Sequence, residues 1–259
     1  MRKIFFIALS IVAFVATAQA QEVVSISKAD NHTREYTTTE LRHSELKELI
    51  STLPATVTIT DEESDIITIA APANVFPYLK FDFRDNSLAI ASVNDAPKKV
   101  MATLGQLCHI EVTIPSQSLR SITNTSDMNL YFESGKCADK LHVVNTLTMS
   151  IISTDITAES SMEICNTGTM TMKVYNLNTD KLYTLNTGYL YMRGATTATN
   201  VLHTSSGIDN TLLTVDCQKL EIVSTGEGIT EFEGVADDVT VANMGKAKIK
   251  TSKLNNFKE

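Results

Sequence analysis

The chain has 259 residues, 30 acidic against 22 basic side chains, a formal net charge of −8, and no tryptophan. An acidic chain does not gather nucleic acid or anionic lipid by bulk electrostatics, so no nucleic-acid partner is expected. Abundant Thr, Asn, Ser, Val and Ile suit extended, turn-rich structure, and 5 prolines with 10 glycines are too few for a disordered tract.

Residues 1–20 read as an export signal. Arg2 and Lys3 supply a positive start, Ile4 to Val15 form an apolar run, and Ala18-Gln19-Ala20 offers a small-x-small cleavage site. The run is too short for a comfortable membrane span. Cleavage near Ala20 removes two basic residues and takes the charge from −8 to −10. No cysteine follows that site, so a lipid-anchored product is not expected, and no later stretch approaches a membrane span. The expected location is the periplasm or the cell surface and extracellular space.

Residues 21–118 are expected to form a β-rich N-terminal part that caps the repeats beginning at residue 119 and is continuous with them. Ala55–Thr60 and Ile66–Ala70 alternate around the turn at residues 61–64, and Leu79–Phe83 and Leu88–Ala91 flank a turn at Asp85-Asn86. Residues 39–50 favour helix by propensity, although their context can draw the second half into a strand.

Self-similarity dominates residues 119–257. A polar triplet recurs as Asn124-Thr125-Ser126, Asn145-Thr146-Leu147, Asn166-Thr167-Gly168, Asn186-Thr187-Gly188, Ser205-Ser206-Gly207, Ser224-Thr225-Gly226 and Asn243-Met244-Gly245, at spacings of 21, 21, 20, 19, 19 and 19 residues. Apolar residues recur in register with it. Two before the triplet stand Ile122, Val143, Ile164, Thr184, His203, Ile222 and Val241, and six after it Leu130, Ile151, Met172, Met192, Thr211, Thr230 and Ile249. Near eleven after it come Ile156, Leu177, Val215, Val235 and Leu254. About 20 residues is too short for a helix pair or a propeller blade, and the leucine-rich frame is absent. The pattern predicts an all-β, right-handed parallel β-helix of about seven coils, roughly 34 Å long at about 4.8 Å per coil. Asn124, Asn145, Asn166, Asn186, Ser205, Ser224 and Asn243 are expected to stack as a structural ladder, with Asn and Gly supplying left-handed turn conformations.

Two stretches carry a family resemblance. The first is the strand Ile67–Ala70 with Ala71-Pro72, an amphipathic stretch from Val75 to Leu79, and then Asp85-Asn86-Ser87-Leu88-Ala89-Ile90. The second is His109–Pro115, Leu119-Arg120-Ser121-Ile122 and the repeated Asn/Ser-Thr-Gly turns. Over residues 46–257 the chain resembles the GIN domain, labelled "putative auto-transporter adhesin head". The resemblance implies an exported β-helical domain and supplies no catalytic residues. Two turns depart from its glycine pattern, ending in Ser126 and Leu147. An autotransporter also needs a C-terminal membrane barrel, for which the repeats, running to about 257, leave no room in this chain.

Candidate chemistry is limited by the repeat frame. Asp139, Asp180 and Asp237 each precede a triplet by six residues in coils two, four and seven, on the order of 10 Å or more apart. That suits turn capping better than paired catalysis or calcium binding. His32, His43, His109, His142 and His203 share no column, and His203 falls inward. Cys137 and Cys217 lie four coils apart, too far to bond, and Cys165 stands on another part of the coil. A Cys108–Cys137 pair stays open, with mostly reduced, buried thiols expected. No metal, cofactor or catalytic residue is assigned. Tyr189 and Tyr191 face outward and offer rings for stacking on sugars, while Lys246, Lys248 and Lys250 form either a basic strip for acidic glycans or a protected edge strand. The functional expectation is a non-enzymatic, adhesin-like binding or scaffold module recognising a glycan or an envelope or matrix protein. The alternatives are a carbohydrate-active β-helix enzyme and a periplasmic structural module that associates with its own kind.

Overall fold

A computed structural model describes residues 26–29, 35–42, 46–60, 62, 64–105, 109–115, 119–133 and 139–255. Residues 1–20, expected to be an export signal, and Cys108, Cys137, His32 and His43 lie outside them. The described chain is almost entirely strand, wound into a parallel β-solenoid of about six turns. Each regular coil has three strand segments, so the rod has three faces.

The first face collects β9 (Ser121–Asn124), β11 (Lys140–Asn145), β13 (Ser161–Asn166) and β15 (Lys181–Asn186). It continues through the last third of β16 (Tyr189–Ser205), β17 (Ile208–Ser224) and β18 (Glu227–Asn243), all in parallel register. After the polar triplet the chain turns onto the second face. That face is built by β10 (Asp127–Phe132), the starts of β12 (Thr148–Ala158) and β14 (Thr169–Thr179), the starts of β16 to β18, and β19 (Lys248–Asn255). The ends of β12 and β14, the middles of β16, β17 and β18, and the end of β19 make the third.

Alternation sorts the side chains. Leu141, Val143, Met149, Ile151, Ile156, Ile164, Met170, Met172, Leu177, Leu190 and Ile222 point inward and are almost fully buried. Each fully buried aliphatic side chain contributes about 1.5–3 kcal/mol of transfer free energy. Val235 is a correction to the inward frame. It aligns with the outward Asp216, and Gly234 takes the place beside Val215. Gly234 has φ +106, a conformation open to glycine, and a Cβ there would lie 2.3 Å from the Val215 carbonyl oxygen.

The spacings of 21, 20 and 19 residues have a structural cause. In β12 the second and third faces are separated by Thr154, and two residues, Glu159 and Ser160, precede the next first-face strand. In β14 the first joint is Tyr175 and the second is Asp180 alone. In β16 the first joint has lost its residue, so Val174 pairs with Gly194 and Asn176 with Ala195, leaving Tyr175 as a bulge.

The N-terminal end is built out of chain order. β3 (Glu48–Ser51) and β4 (Ala55–Thr60) form a coil that stacks directly under β9 and β10. On its other side come β7 (Ser87–Ser92) and β8 (Ile110–Pro115), also parallel to it. Beyond them the pairing becomes antiparallel. β6 (Leu79–Arg84) closes on β7 through a two-residue hairpin whose Asp85 and Asn86 have φ 45° and 68°. β5 (Ile66–Pro72), β2 (Glu35–Arg42) and β1 (Ile26–Ala29) continue from β8. The helical propensity of residues 39–50 is overridden: β2 runs through Arg42 and β3 begins at Glu48. Leu49 is buried between Leu88 and Ile122 and Leu41 faces the core, which no isolated amphipathic helix could achieve here.

Candidate functional site

The polar ladder lies inside the rod. The Asn124 amide donates to the Asn145 Oδ1 at 2.9 Å, Asn145 to Asn166 at 2.8 Å, Asn166 to Asn186 at 2.8 Å, and Asn186 to the Ser205 hydroxyl at 3.1 Å. Each of these amides also reaches main-chain carbonyls; Asn166 donates to those of Gly168 and Tyr189. Ser205 and Ser224 continue the column buried, whereas Asn243, with no further first-face strand stacked on it among the described residues, is exposed and donates to the Ala247 carbonyl at 2.8 Å.

The turn glycines work differently from the left-handed role expected of them. Gly168, Gly188, Gly207, Gly226 and Gly245 are not in the positive-φ region. They are small because the coils touch: a Cβ on Gly188 would sit 2.0 Å from the Gly168 carbonyl oxygen, and one on Gly207 equally close to that of Gly188. The Gly168 carbonyl accepts the Tyr189 N–H at 2.8 Å, so the close approach carries the inter-coil hydrogen bond.

A second polar feature crosses coils four to six within the core. His203 Nε2 lies 2.7 Å from Asp209 Oδ2, and Thr230 and Thr211 donate to the same carboxylate, each at 2.7 Å. A carboxylate only accepts, so Nε2 carries a hydrogen. His203 Nδ1 meets the Thr184 hydroxyl at 2.6 Å, and Phe232 stands edge-on to the ring at 5.6 Å. Burial alone would raise the Asp209 carboxyl, but His203, Thr230 and Thr211 together outweigh it and hold it below the ordinary aspartate range. Asp209 is only 1% exposed, so this network is sealed from any substrate. Its signal in the sequence was four residues after the triplet, where Met128, Met149, Met170 and Leu190 precede Asp209 in a column outside those that mark the repeat frame.

The other sequence candidates separate. Asp139, Asp180 and Asp237 occupy the joint between the third and first faces, in coils that are not neighbours. Ser160 hydrogen-bonds Asp139, and the Asp180 carbonyl accepts the Thr199 and Asn200 N–H groups. Lys246 pairs with Glu227 at 3.4 Å, Lys250 with Glu231 at 3.2 Å, and Lys253 with Glu231 at 2.8 Å and Glu233 at 3.4 Å. Lys253 and Lys250 hold the Glu231 carboxyl below its usual range. Three described lysines of that stretch are thus matched by a glutamate one coil below, and the fourth, Lys248, makes no ion pair among the described residues. Cys165 and Cys217 are free thiols, and burial with Asp216 and Asp237 pushes Cys217 up to about 11. His109 contacts Thr56 and Asn129, each at 3.1 Å. Among the described residues no group of three or more His, Cys, Asp or Glu could hold a metal ion.

The outward second face is where contact chemistry accumulates. Tyr189 pairs in register with Ile208, and Tyr191 with Asn210 and then Ile229. The Asn210 amide reaches the Tyr189 hydroxyl at 3.4 Å, and Ile208 is 47% exposed. Along the corner with the third face runs a groove of about 610 Å³, lined among others by Ile152, Lys173, Tyr175, Tyr191, Arg193 and Leu212. It exists because the coil shortens there. Tyr175, 73% exposed, stands as a ledge where the next coil has Gly194 and Ala195 and no residue to match it. Tyr175, Lys173 and Arg193 escaped the repeat frame because they sit at or beside a joint whose length changes.

Over residues 45–258 the sequence matches the family described as "Putative auto-transporter adhesin, head GIN domain". The chain belongs to that family. Solved structures share the fold. A "putative adhesin" from Bacteroides fragilis is 14% identical, with a TM-score of 0.61 over 83% of this chain and 96% of that one. One from Parabacteroides distasonis is 12% identical at 0.57 over 84% and 98%, and one from Parabacteroides merdae 14% identical at 0.52 over 85% and 98%. No curated protein matches the chain. No helix among the described residues is long and apolar enough to cross a membrane.

Proposed function

We propose that this GIN-domain protein is exported and acts as a non-enzymatic, adhesin-like binding module at the cell envelope. Its contact surface is the outward second face over coils two to six. One observation carries this reading. Exposed Ile152, Tyr189, Ile208 and Ile229 point outward from the second face and Tyr175 from its edge, interspersed with polar side chains such as Lys173 and Asn210, whereas the carboxylate–imidazole pair of the core is closed to solvent. Tyr189 and Ile208 stand side by side in register, and large apolar side chains left exposed on a folded sheet are surface available for an interaction. A rod with stacked, regularly spaced side chains suits wide, shallow contact with a glycan or an envelope or matrix protein. The adhesin descriptions of the family and of its structural neighbours support the same class.

The test is an array of glycans and matrix proteins probed with the mature chain and with a Tyr189→Ser/Ile208→Ser variant, folding of both checked by circular dichroism. Specific retention of the native chain, lost in the variant, is expected. A blank array, or binding unchanged by the variant, overturns the assignment.

A further inference from the structure

The groove beside this face says what kind of ligand it would take, given that the second face is the contact surface. Lys173 and Arg193 are adjacent partners in the parallel register, one coil apart, so their side chains leave the sheet about 4.8 Å from one another. Both are exposed, and among the described residues neither makes an ion pair. Lys98, Lys99, Arg120, Lys140 and Lys248 likewise make no ion pair among the described residues, but of these cations only Lys173 and Arg193 line the groove. The chain carries an excess of eight negative charges, and three of the four described lysines of its last coils are matched by glutamates. Glu233 borders the groove, but it is held by Lys253 at 3.4 Å and by the Thr214 hydroxyl at 3.2 Å. Two unmatched cations thus share a concave site with two phenol rings, Tyr175 and Tyr191, and with the apolar Ile152 and Leu212. The groove runs along the rod rather than around it. Its lining comes from five successive coils, from Ile152 to Glu233, roughly 19 Å at about 4.8 Å per coil.

The geometry points to an anionic glycan chain as the occupant of this groove, its sugar rings lying against Tyr175 and Tyr191 and its acidic groups held by Arg193 and Lys173. Each part of the site answers a part of that ligand. A pyranose ring has an apolar face, which a tyrosine ring covers while its hydroxyl stays wet. A carboxylate or sulfate offers the paired oxygens that a guanidinium fork binds in two places, and an ammonium adds a second point charge. An extended chain fills a long open trough that a compact metabolite would not. Neither nucleic acid nor a lipid surface fits as well, since a large polyanion would bring many charges within about 8 Å of the surrounding acidic surface, the screening length at physiological salt. Selectivity then comes from contact rather than long-range attraction.

The experiment is titration calorimetry of the full mature protein with three oligosaccharides of equal length: an oligogalacturonate, a sulfated heparin-derived chain, and the methyl ester of the galacturonate as the neutral analogue. Binding of at least one acidic chain is expected to be about tenfold or more tighter than that of the ester, and to weaken as salt rises. Arg193→Gln/Lys173→Gln is expected to remove the acidic preference and leave residual, salt-insensitive binding, whereas Tyr175→Ala/Tyr191→Ala weakens acidic and neutral chains alike. All four positions face solvent or line the open groove, so circular dichroism should report folded protein. Equal binding of acid and ester overturns the anionic ligand while leaving the adhesin assignment standing. Acidic binding that survives both double variants places the site elsewhere. No binding of any of the three chains overturns the glycan, and the array with matrix proteins then decides the broader assignment separately.

Discussion

Asp209→Ala would remove the acceptor at the centre of the buried polar network. The native carboxylate takes hydrogens from His203, Thr211 and Thr230, all at 2.7 Å, with exposures of 1–2% at the ion-pair side chains. Breaking a buried pair from one side leaves the other partner desolvated and costs about 3–5 kcal/mol, more than the cavity left by so small a side chain. The expected result is a loss of that size in urea unfolding followed by circular dichroism at pH 7. Hydrogen exchange should localise it to coils four to six, because a solenoid's stability is a sum over neighbouring repeats. The pH dependence has a definite sign. The folded-state pKa of Asp209 is lowered, so its contribution is fully present above the unfolded value of about 3.9 and is lost as pH falls through the lower folded value. The part of the gap that belongs to Asp209 should therefore be fully present at pH 7 and narrow below about pH 4. A difference under about 1 kcal/mol at pH 7, or one that persists unchanged into strong acid, would refute the assigned role of Asp209. The combination His203→Ile/Asp209→Leu restores the apolar columns and should regain most of the loss, since apolar replacements of buried ion pairs are often neutral or better.

The ladder and the thiols give further outcomes. Asn166→Ala deletes bonds to Asn145, Asn186 and two carbonyls and should cost about 2–4 kcal/mol, with Asn166→Ser, the residue used at 205, costing less; equal stability of all three chains by urea titration would contradict the ladder. Gly188→Ala places a Cβ 2.0 Å from a carbonyl oxygen and should destabilise by about 2 kcal/mol or more, despite alanine's lower chain entropy. Cys217, with its pKa pushed up to about 11, should resist iodoacetamide at pH 8 in the folded chain and react after unfolding, as read by peptide mass mapping; rapid native labelling would contradict its burial.

Much of this was legible in the sequence. The triplet period fixed the coil, the alternation around it fixed which side chains point inward, and Asp85-Asn86 announced its hairpin. These are local or strictly periodic signals, and a one-residue slip in a parallel stack would turn every buried side chain outward. The order of coils at the N-terminal end was not legible, because β3 and β4 slot between strands 40 to 80 residues away, and inter-coil hydrogen bonds and burial choose among such arrangements. Nor was the reason for the turn glycines, which lies in the distance to the coil below rather than in their own backbone. Asp209 and Tyr175 show the same division. The sequence determined that this protein is a stack of nearly identical coils, because period and alternation belong to the chain. Where the coils differ is settled by packing between them, because a buried acid needs its partners from neighbouring coils, and a tyrosine ledge exists only where the coil above is one residue shorter.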